Sequence, residues 1–129
     1  MSDKIFIEII SPEKSILKSE ASEVSIPSFE GQMGVLKDHI PLITFLRPGV
    51  ILVKDQDEKK YYVEEGVVEF SNNKLLILSS TAKDLKNFEK GNIDKLINEA
   101  EKKLQDSNTT DKEKYIMSYK IDTLREINR

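Results

Sequence analysis

The stretch that decides the fold is residues 24–49, VSIPSFEGQMGVLKDHIPLITFLRPG. It contains three of the chain's four prolines, three of its five glycines and its only histidine. A helix is unfavourable here, because Pro27, Pro41 and Pro48 each lack a backbone donor and disfavour helical geometry in the preceding residue. Glycine, in contrast, permits the positive φ angles that tight corners need. The stretch therefore predicts short β-strands joined by exposed turns.

Alternating apolar residues on both sides of this stretch predict further strands. Residues 5–10 (IFIEII) have the period of two that places one face of a strand against a core. Residues 50–63 and 67–78 each read as a hairpin, the second turning at Asn72-Asn73, where asparagine tolerates the left-handed conformation. Short, evenly spaced strands predict an antiparallel sandwich or barrel. The predicted core includes Ile7, Ile26, Val53, Val68 and Ile77.

The last third of the chain has a different composition, rich in Lys, Glu, Asp and Asn, with apolar residues at helical spacing. Asn92 is a predicted N-cap for a first helix, and Thr110 with Glu113 has the capping-box pattern that starts a second. Two amphipathic helices with a short connector predict an antiparallel hairpin. The apolar stripes are Ile93, Leu96, Ile97, Ala100 and Leu104, then Met117, Ile121, Leu124 and Ile127.

These patterns predict a mainly β protein with an α-helical appendage. We expect two domains, a β-sandwich over residues 1–83 and a helical hairpin over residues 84–129. A chain of 129 residues with 38% hydrophobic content can form a small core with such an appendage, but not two full-sized domains.

Composition also limits the classes of function. The net charge of −3 argues against nucleic acid and anionic lipid as partners. The chain has no cysteine, so thiol nucleophiles, disulfides and thiolate metal sites are absent. No apolar run approaches the roughly 20 residues that span a bilayer, and the polar start predicts neither a signal nor a transit peptide. We expect a bacterial cytoplasmic protein without direct membrane insertion.

His39 is the one histidine available for proton transfer near neutral pH. It has no cysteine or second histidine with which to build a nucleophilic or metal site, so ordering of its own turn is the first interpretation. The carboxylates lie among lysines in solvated runs, and the chain has no glycine-rich phosphate loop. We expect no catalytic residue, no metal site and no resident cofactor.

The spaced pattern V-x-I-P-x-x-E-G-x-x-G-V-L-x-x-H-x-P-L-I-T-x-L-x-P-G in residues 24–49 resembles the signature of a known family, the epsilon subunit of rotary proton-driven ATP synthases, equivalent to the mitochondrial delta subunit. Residues 63–70 (VEEGVVEF) are similar to its second motif. The chain departs from the family at Ser28, where glycine is common, and at Lys37-Asp38, where Pro-Gly is common. The resemblance implies a flattened β-sandwich followed by a two-helix hairpin.

The resemblance also implies a function without bond chemistry. A subunit of this family belongs to the central stalk and links the gamma subunit to the c ring, so that the proton gradient drives synthesis of ATP from ADP and phosphate. Its helices extend in one state toward the alpha and beta subunits and inhibit ATP hydrolysis. Such a subunit lies peripherally on the cytoplasmic face of the bacterial inner membrane.

Several residues acquire expected roles from this resemblance. Glu30, Gly31, Gln32 and Met33 are expected at an exposed loop tip that contacts the c ring, and His39 near the rotor interface. Contacts of the regulatory helix with acidic segments of a beta subunit are expected from Arg125, Lys120 and Arg129.

Some family members bind ATP at the start of the first helix through a pattern close to Ile-Asp-x-x-Arg-Ala. This chain keeps Ile93-Asp94 but has Ile97-Asn98 where Arg and Ala belong. Loss of the arginine removes the planar donor group best suited to phosphate, which argues against a tight ATP site. Asp94 is more simply explained by its favourable interaction with the helix N-terminus.

Two other functions fit parts of the sequence. A free-standing β-sandwich binding module could capture a helical partner, and would then have no affinity for gamma. A small hydrolase could use His39 as its base, and substitution of His39 would abolish its activity.

Overall fold

The computed structural model describes residues 3–128. The chain divides into two compact units, Met1–Leu85 and Lys86–Arg129. The first is built from β-strands and the second from two helices, as the sequence predicted for the fold class. The division into domains at residues 1–83 and 84–129, and folding of the sandwich without the helices, stay predictions.

The first unit contains ten strands within the described residues. They are β1 (Ile5–Ile10), β2 (Ser15–Ala21), β3 (Glu23–Ser28), β4 (Gly31–Val35), β5 (Leu42–Leu46), β6 (Gly49–Lys54), β7 (Glu58–Val63), β8 (Gly66–Ser71), β9 (Lys74–Leu78) and β10 (Lys83–Asp84). A short 3₁₀ turn, Leu85–Asn87, follows β10.

The strands form two groups that meet at one point. One group has the order β4-β3-β6-β7-β10 and the other β5-β8-β9-β1-β2. They are joined where Ser28 of β3 pairs with Leu46 of β5. The pairs are antiparallel apart from β1 with β9, which run parallel, with Ile7 opposite Leu75. That parallel pair departs from the all-antiparallel arrangement that the sequence predicted, because alternation determines which residues face inward and not which strands are neighbours.

Alternation along the strands builds the core. In β1, Ile5, Ile7 and Ile9 are buried while the residues between them are half-exposed. The five predicted core residues are all buried, which confirms that part of the sequence analysis. Burial of large apolar side chains, each worth roughly 1.5–3 kcal/mol, is the main stabilising contribution in this unit.

The turn between β8 and β9 has the predicted chemistry. Asn72 and Asn73 have φ values of 51° and 60°, the left-handed conformation that a two-residue hairpin turn requires. Ser71 pairs with Lys74 directly across the turn. Local sequence alone therefore determines this hairpin.

The second unit consists of α1 (Lys90–Gln105) and α2 (Asp111–Ile127). The buried residues are Ile93, Ile97 and Ala100 in α1 and Ile121 and Leu124 in α2, from the predicted stripes. The helices form an antiparallel hairpin, since Lys103 Nζ lies 3.6 Å from Glu113 Oε2 beside the connector and Asn128 Nδ2 donates to Asp94 Oδ1 at the other end.

One of the two predicted helix starts is confirmed and the other is wrong. The capping box of Thr110 and Glu113 is confirmed, with both reciprocal hydrogen bonds present. The N-cap at Asn92 was wrong, because the amide of Asn92 already donates to the Glu89 carbonyl, 3.0 Å away, and lies inside the first turn. Neither helix among the described residues is long and apolar enough to cross a membrane.

Candidate functional site

The turn between β3 and β4 is closed by a buried serine. Ser28 is fully buried; its hydroxyl donates to the Gly31 carbonyl at 2.8 Å and accepts from the Glu30 amide at 3.1 Å. Gly31 has a φ of 127°, a conformation essentially restricted to glycine. Ser28 therefore supplies hydrogen bonds that fix the turn, and Gly31 supplies the backbone conformation.

The expected loop tip at Glu30, Gly31, Gln32 and Met33 is largely a strand. Only Phe29 and Glu30 lie in the turn, and β4 starts at Gly31. Glu30 and Gln32 are exposed, and Gln32 Nε2 donates to Ser25 Oγ at 2.6 Å. Met33 pairs with Ile26 and packs partly buried against the core. Loop placement was wrong for three residues because β4 pairs along its whole length with β3.

The described contacts of His39 are to its own turn and to β8. Its Nδ1–H donates to the Ile40 carbonyl at 2.7 Å, and its ring lies edge-on to Phe70 with 5.9 Å between centroids. The neighbouring Asp38 adopts a φ of 66°, and its amide donates to Asn73 Oδ1 at 2.7 Å. Aspartate tolerates this left-handed conformation, so the Lys37-Asp38 turn forms without a glycine. Contact of His39 with the rotor stays a prediction.

The outward side of β5, β8 and β9 is an exposed apolar surface that the sequence analysis missed. Ile43 is 72% exposed and Phe45 60%. One row across the strands joins Phe45, Val67 and Leu78, and a second joins Ile43, Glu69 and Leu76. We call this surface the β5–β8–β9 face, defined by Ile43, Phe45, Val67, Glu69, Leu76 and Leu78.

The signal for this face lies in the segment LITFL, residues 42–46. An antiparallel strand with one solvated face normally alternates apolar with polar residues. In β5 the inward residues are Leu42, Thr44 and Leu46, and the two outward residues between them, Ile43 and Phe45, are apolar as well. Exposed apolar patches of this kind mark interaction surfaces.

The residues predicted for regulation differ in their surroundings. Arg125 Nη2 donates to Glu101 Oε1 at 2.8 Å, which ties α2 to α1. Lys120 is half-exposed on α2. Arg129 lies outside the described residues. The ion pair of Arg125 was not predicted, since its partner is 24 residues away in sequence.

The residues considered for ATP have structural roles. Ile93 is buried in the apolar stripe of α1, and Asp94 accepts from Asn128 Nδ2 at 3.1 Å. Among residues 3–128 no cluster of His, Asp or Glu could hold a metal ion.

Local structure explains the pKa shifts of Glu113, Tyr62 and Lys4, among others. The hydrogen bond from Thr110 lowers the pKa of Glu113, with Lys103 adding a smaller effect. Burial, reinforced by the charge of Glu64, raises the pKa of Tyr62, whose hydroxyl donates to Glu64 Oε2. The hydrogen bond to Asp55 raises the pKa of Lys4. None of these groups belongs to the β5–β8–β9 face.

Comparison with known proteins decides the family. Residues 4–84 match the family described as "ATP synthase, Delta/Epsilon chain, beta-sandwich domain". The ATP synthase epsilon chain of Pelagibacter ubique is 46% identical over 130 aligned residues, which cover 99% of this chain and 100% of the relative. This chain belongs to the ATP synthase epsilon-chain family. The resemblance stated from residues 24–49 is thereby confirmed.

Chains in two solved structures have the same fold. A chain in the Euglena gracilis mitochondrial ATP synthase structure, described as OSCP/F1/c-ring, aligns with a TM-score of 0.83, 21% identity, and coverage of 100% of this chain and 84% of that one. A chain in the central stalk/c-ring structure of the Tetrahymena thermophila mitochondrial ATP synthase aligns with a TM-score of 0.66, 18% identity, and coverage of 99% and 98%. At these identities the likeness concerns the fold alone.

Proposed function

We propose that this epsilon-family chain is a non-catalytic subunit of a bacterial ATP synthase central stalk that links the gamma subunit to the c ring. The supporting observation is the β5–β8–β9 face, where the side chains of Ile43 and Phe45 are 72% and 60% exposed. Large apolar side chains held outward on a rigid sheet are suited to a permanent protein interface. Gamma is the partner that the family assignment suggests for this face. The subunit transmits torque and makes no bond itself.

The chemistry of the face favours protein over lipid as its covering. Glu69 lies within it and Glu8 on the neighbouring β1, and carboxylates are repelled by the anionic surface of a bacterial membrane. A peripheral position on the cytoplasmic side of the inner membrane therefore depends on protein partners.

The turn between β3 and β4 is the proposed contact with the c ring. It adjoins the apolar face, since the amide of Phe29 donates to the Phe45 carbonyl at 3.1 Å. Glu30 and Gln32 are the exposed polar side chains there, while Gly31 and Met33 keep the turn and strand in shape. Two adjoining surfaces allow one rigid unit to hold two neighbours together.

Co-purification tests the linking role. A tagged copy of this chain should recover gamma and the c ring from membranes of its own organism. Phe45→Asp should abolish recovery of gamma, because it places a charge in an apolar interface. Lys59→Asp, exposed on β7 in the other strand group, is the control and should leave recovery unchanged. Recovery of gamma by the Phe45→Asp chain would overturn the assignment of this face.

The helical hairpin is proposed to inhibit ATP hydrolysis by extending toward the alpha and beta subunits. Arg125 would then exchange Glu101, its partner at 2.8 Å, for a carboxylate on beta, and Lys120 and Arg129 are further candidates for such contacts. Such an exchange shifts the equilibrium only through a difference in affinity between the two states.

Deletion of residues 110–129 tests this regulatory role. ATP hydrolysis by the assembled enzyme should rise while proton-driven synthesis stays largely intact. Unchanged hydrolysis with normal assembly would remove the inhibitory role and leave the chain as a coupling subunit.

A further inference from the structure

Glu69 is a lone carboxylate in the middle of the β5–β8–β9 face. Its neighbours in register are Ile43 on β5 and Leu76 on β9. Along its own strand the next residues on the same side are Val67 and Ser71. Directly opposed side chains on a sheet lie about 5 Å apart, so all four adjacent positions lack a charge. The diagonal neighbour Lys74 on β9 places its Nζ over the Phe6 ring on β1, 5.7 Å from the centroid.

Within residues 3–128, no ion pair neutralises this carboxylate. Glu69 is exposed, and water therefore solvates its charge in the isolated chain. A partner that covers Ile43 and Leu76 on either side must also remove water from Glu69.

A buried carboxylate without a partner is strongly unfavourable, whereas one that is paired and hydrogen-bonded can be accommodated. We propose that the surface covering the β5–β8–β9 face carries a Lys or Arg side chain opposite Glu69, and that this ion pair determines which partner the face accepts. The inference rests on the proposed function, since it requires a protein surface to dock on this face. A partner with an apolar or acidic group at that point is rejected.

Glu8 provides an internal comparison on the same side of the same sheet. It lies opposite Leu76 on β9, but its other neighbour in register is Lys18 on β2. A charge beside it within the chain lessens the need for a cation from the partner. The two glutamates share chemistry and orientation, and differ in what flanks them.

Binding to ATP synthase stripped of this chain tests the inference. The full-length protein and its Phe45→Asp, Glu69→Gln, Glu69→Lys and Glu8→Gln variants are titrated onto the stripped enzyme at fixed salt concentration, after circular dichroism has shown that each is folded. Truncating one member of a buried charge pair is costly, so Glu69→Gln should weaken binding roughly 30-fold or more and Glu69→Lys further. Glu8→Gln should change the affinity by less than about threefold.

The variants distinguish docking of the β5–β8–β9 face from the presence of a cation opposite Glu69. If Phe45→Asp binds normally, the face does not dock, and both the assignment of the face and this inference are wrong. If Phe45→Asp weakens binding while Glu69→Gln binds as well as the unmodified chain or better, the face docks but no cation meets Glu69, and only this inference is overturned. A charge swap would support the inference. The Glu69→Lys chain should regain binding to a partner in which the opposing Lys or Arg is changed to Glu.

Discussion

The two units of this chain are stabilised in different ways. The sandwich buries whole strand faces, with Tyr62, Phe70, Leu75 and Ile77 almost inaccessible to solvent. In the hairpin each helix buries one stripe, and polar pairs at its surface join the helices. One such pair, Arg125 with Glu101, has side chains 60% and 40% exposed. A unit held by many buried contacts keeps one shape, whereas a unit held by one stripe and solvated pairs can exchange contacts at low cost.

Replacing one buried isoleucine by alanine in each unit gives the largest expected difference in stability. Ile77→Ala removes a side chain that is 0% exposed in the sandwich core and should lower the free energy of unfolding by about 3–5 kcal/mol, because a cavity remains. Ile121→Ala, in a stripe where the site is 5% exposed, should lower it by about 2 kcal/mol, since two helices can close together. Chemical denaturation measures both, and equal losses would show that the hairpin is as rigidly packed as the sandwich.

Truncating the chain after the sandwich tests whether the sandwich folds alone. The expected loss of stability is smaller than for the core substitution and depends on where the chain is cut. A chain ending at Leu85 keeps β10, which pairs with β7, and keeps Thr81, whose hydroxyl accepts from the Glu64 amide at 2.9 Å. A chain ending at Ser80 loses both and should unfold about 2–3 kcal/mol more easily. Cooperative thermal unfolding should persist after the first cut. Its loss there would mean that the sandwich depends on the hairpin.

Some features of both units could be predicted from the sequence and others could not. The Asn72-Asn73 turn and the Thr110 capping box were predictable, because each is determined by residues within a few positions of one another. The parallel pairing of β1 with β9 and the ion pair of Arg125 were not, since both join distant parts of the chain. The β5–β8–β9 face was missed because sequence analysis assigns an apolar residue in a strand to the core. Only the orientation of β5 in the structure shows that Ile43 and Phe45 point outward.

Breaking the ion pair between the helices should have a modest effect. Arg125→Ala should lower hairpin stability by less than about 1 kcal/mol, since both side chains are largely solvated. Hydrogen exchange of α1 and α2 amides should quicken slightly while exchange in the β-strands stays the same. Faster exchange in both units would contradict the view that this pair acts within the hairpin alone. Glu101→Gln, which keeps a hydrogen-bond acceptor, is the matched control.

The smallest expected effect is the pH dependence of the first turn of α2. The pKa of Glu113 lies below its usual 4.5, chiefly because Thr110 donates a hydrogen bond to the carboxylate, with Lys103 contributing less. A folded-state pKa below the unfolded value means that the charged form stabilises the hairpin above pH 4.5, and that this stabilisation is lost as the pH falls through the folded-state pKa.

Glu113→Gln keeps the capping geometry without the titrating group. The advantage of the unmodified chain over this variant, measured by helical circular dichroism on denaturation, should be present at neutral pH and absent once Glu113 is protonated. In an NMR titration of the carboxyl group, Thr110→Ala should move the pKa of Glu113 further toward its usual value than Lys103→Met does, because the hydrogen bond is the larger cause. A larger response to Lys103→Met would assign the shift to the contact between the helices, and would make this turn part of what holds the hairpin closed.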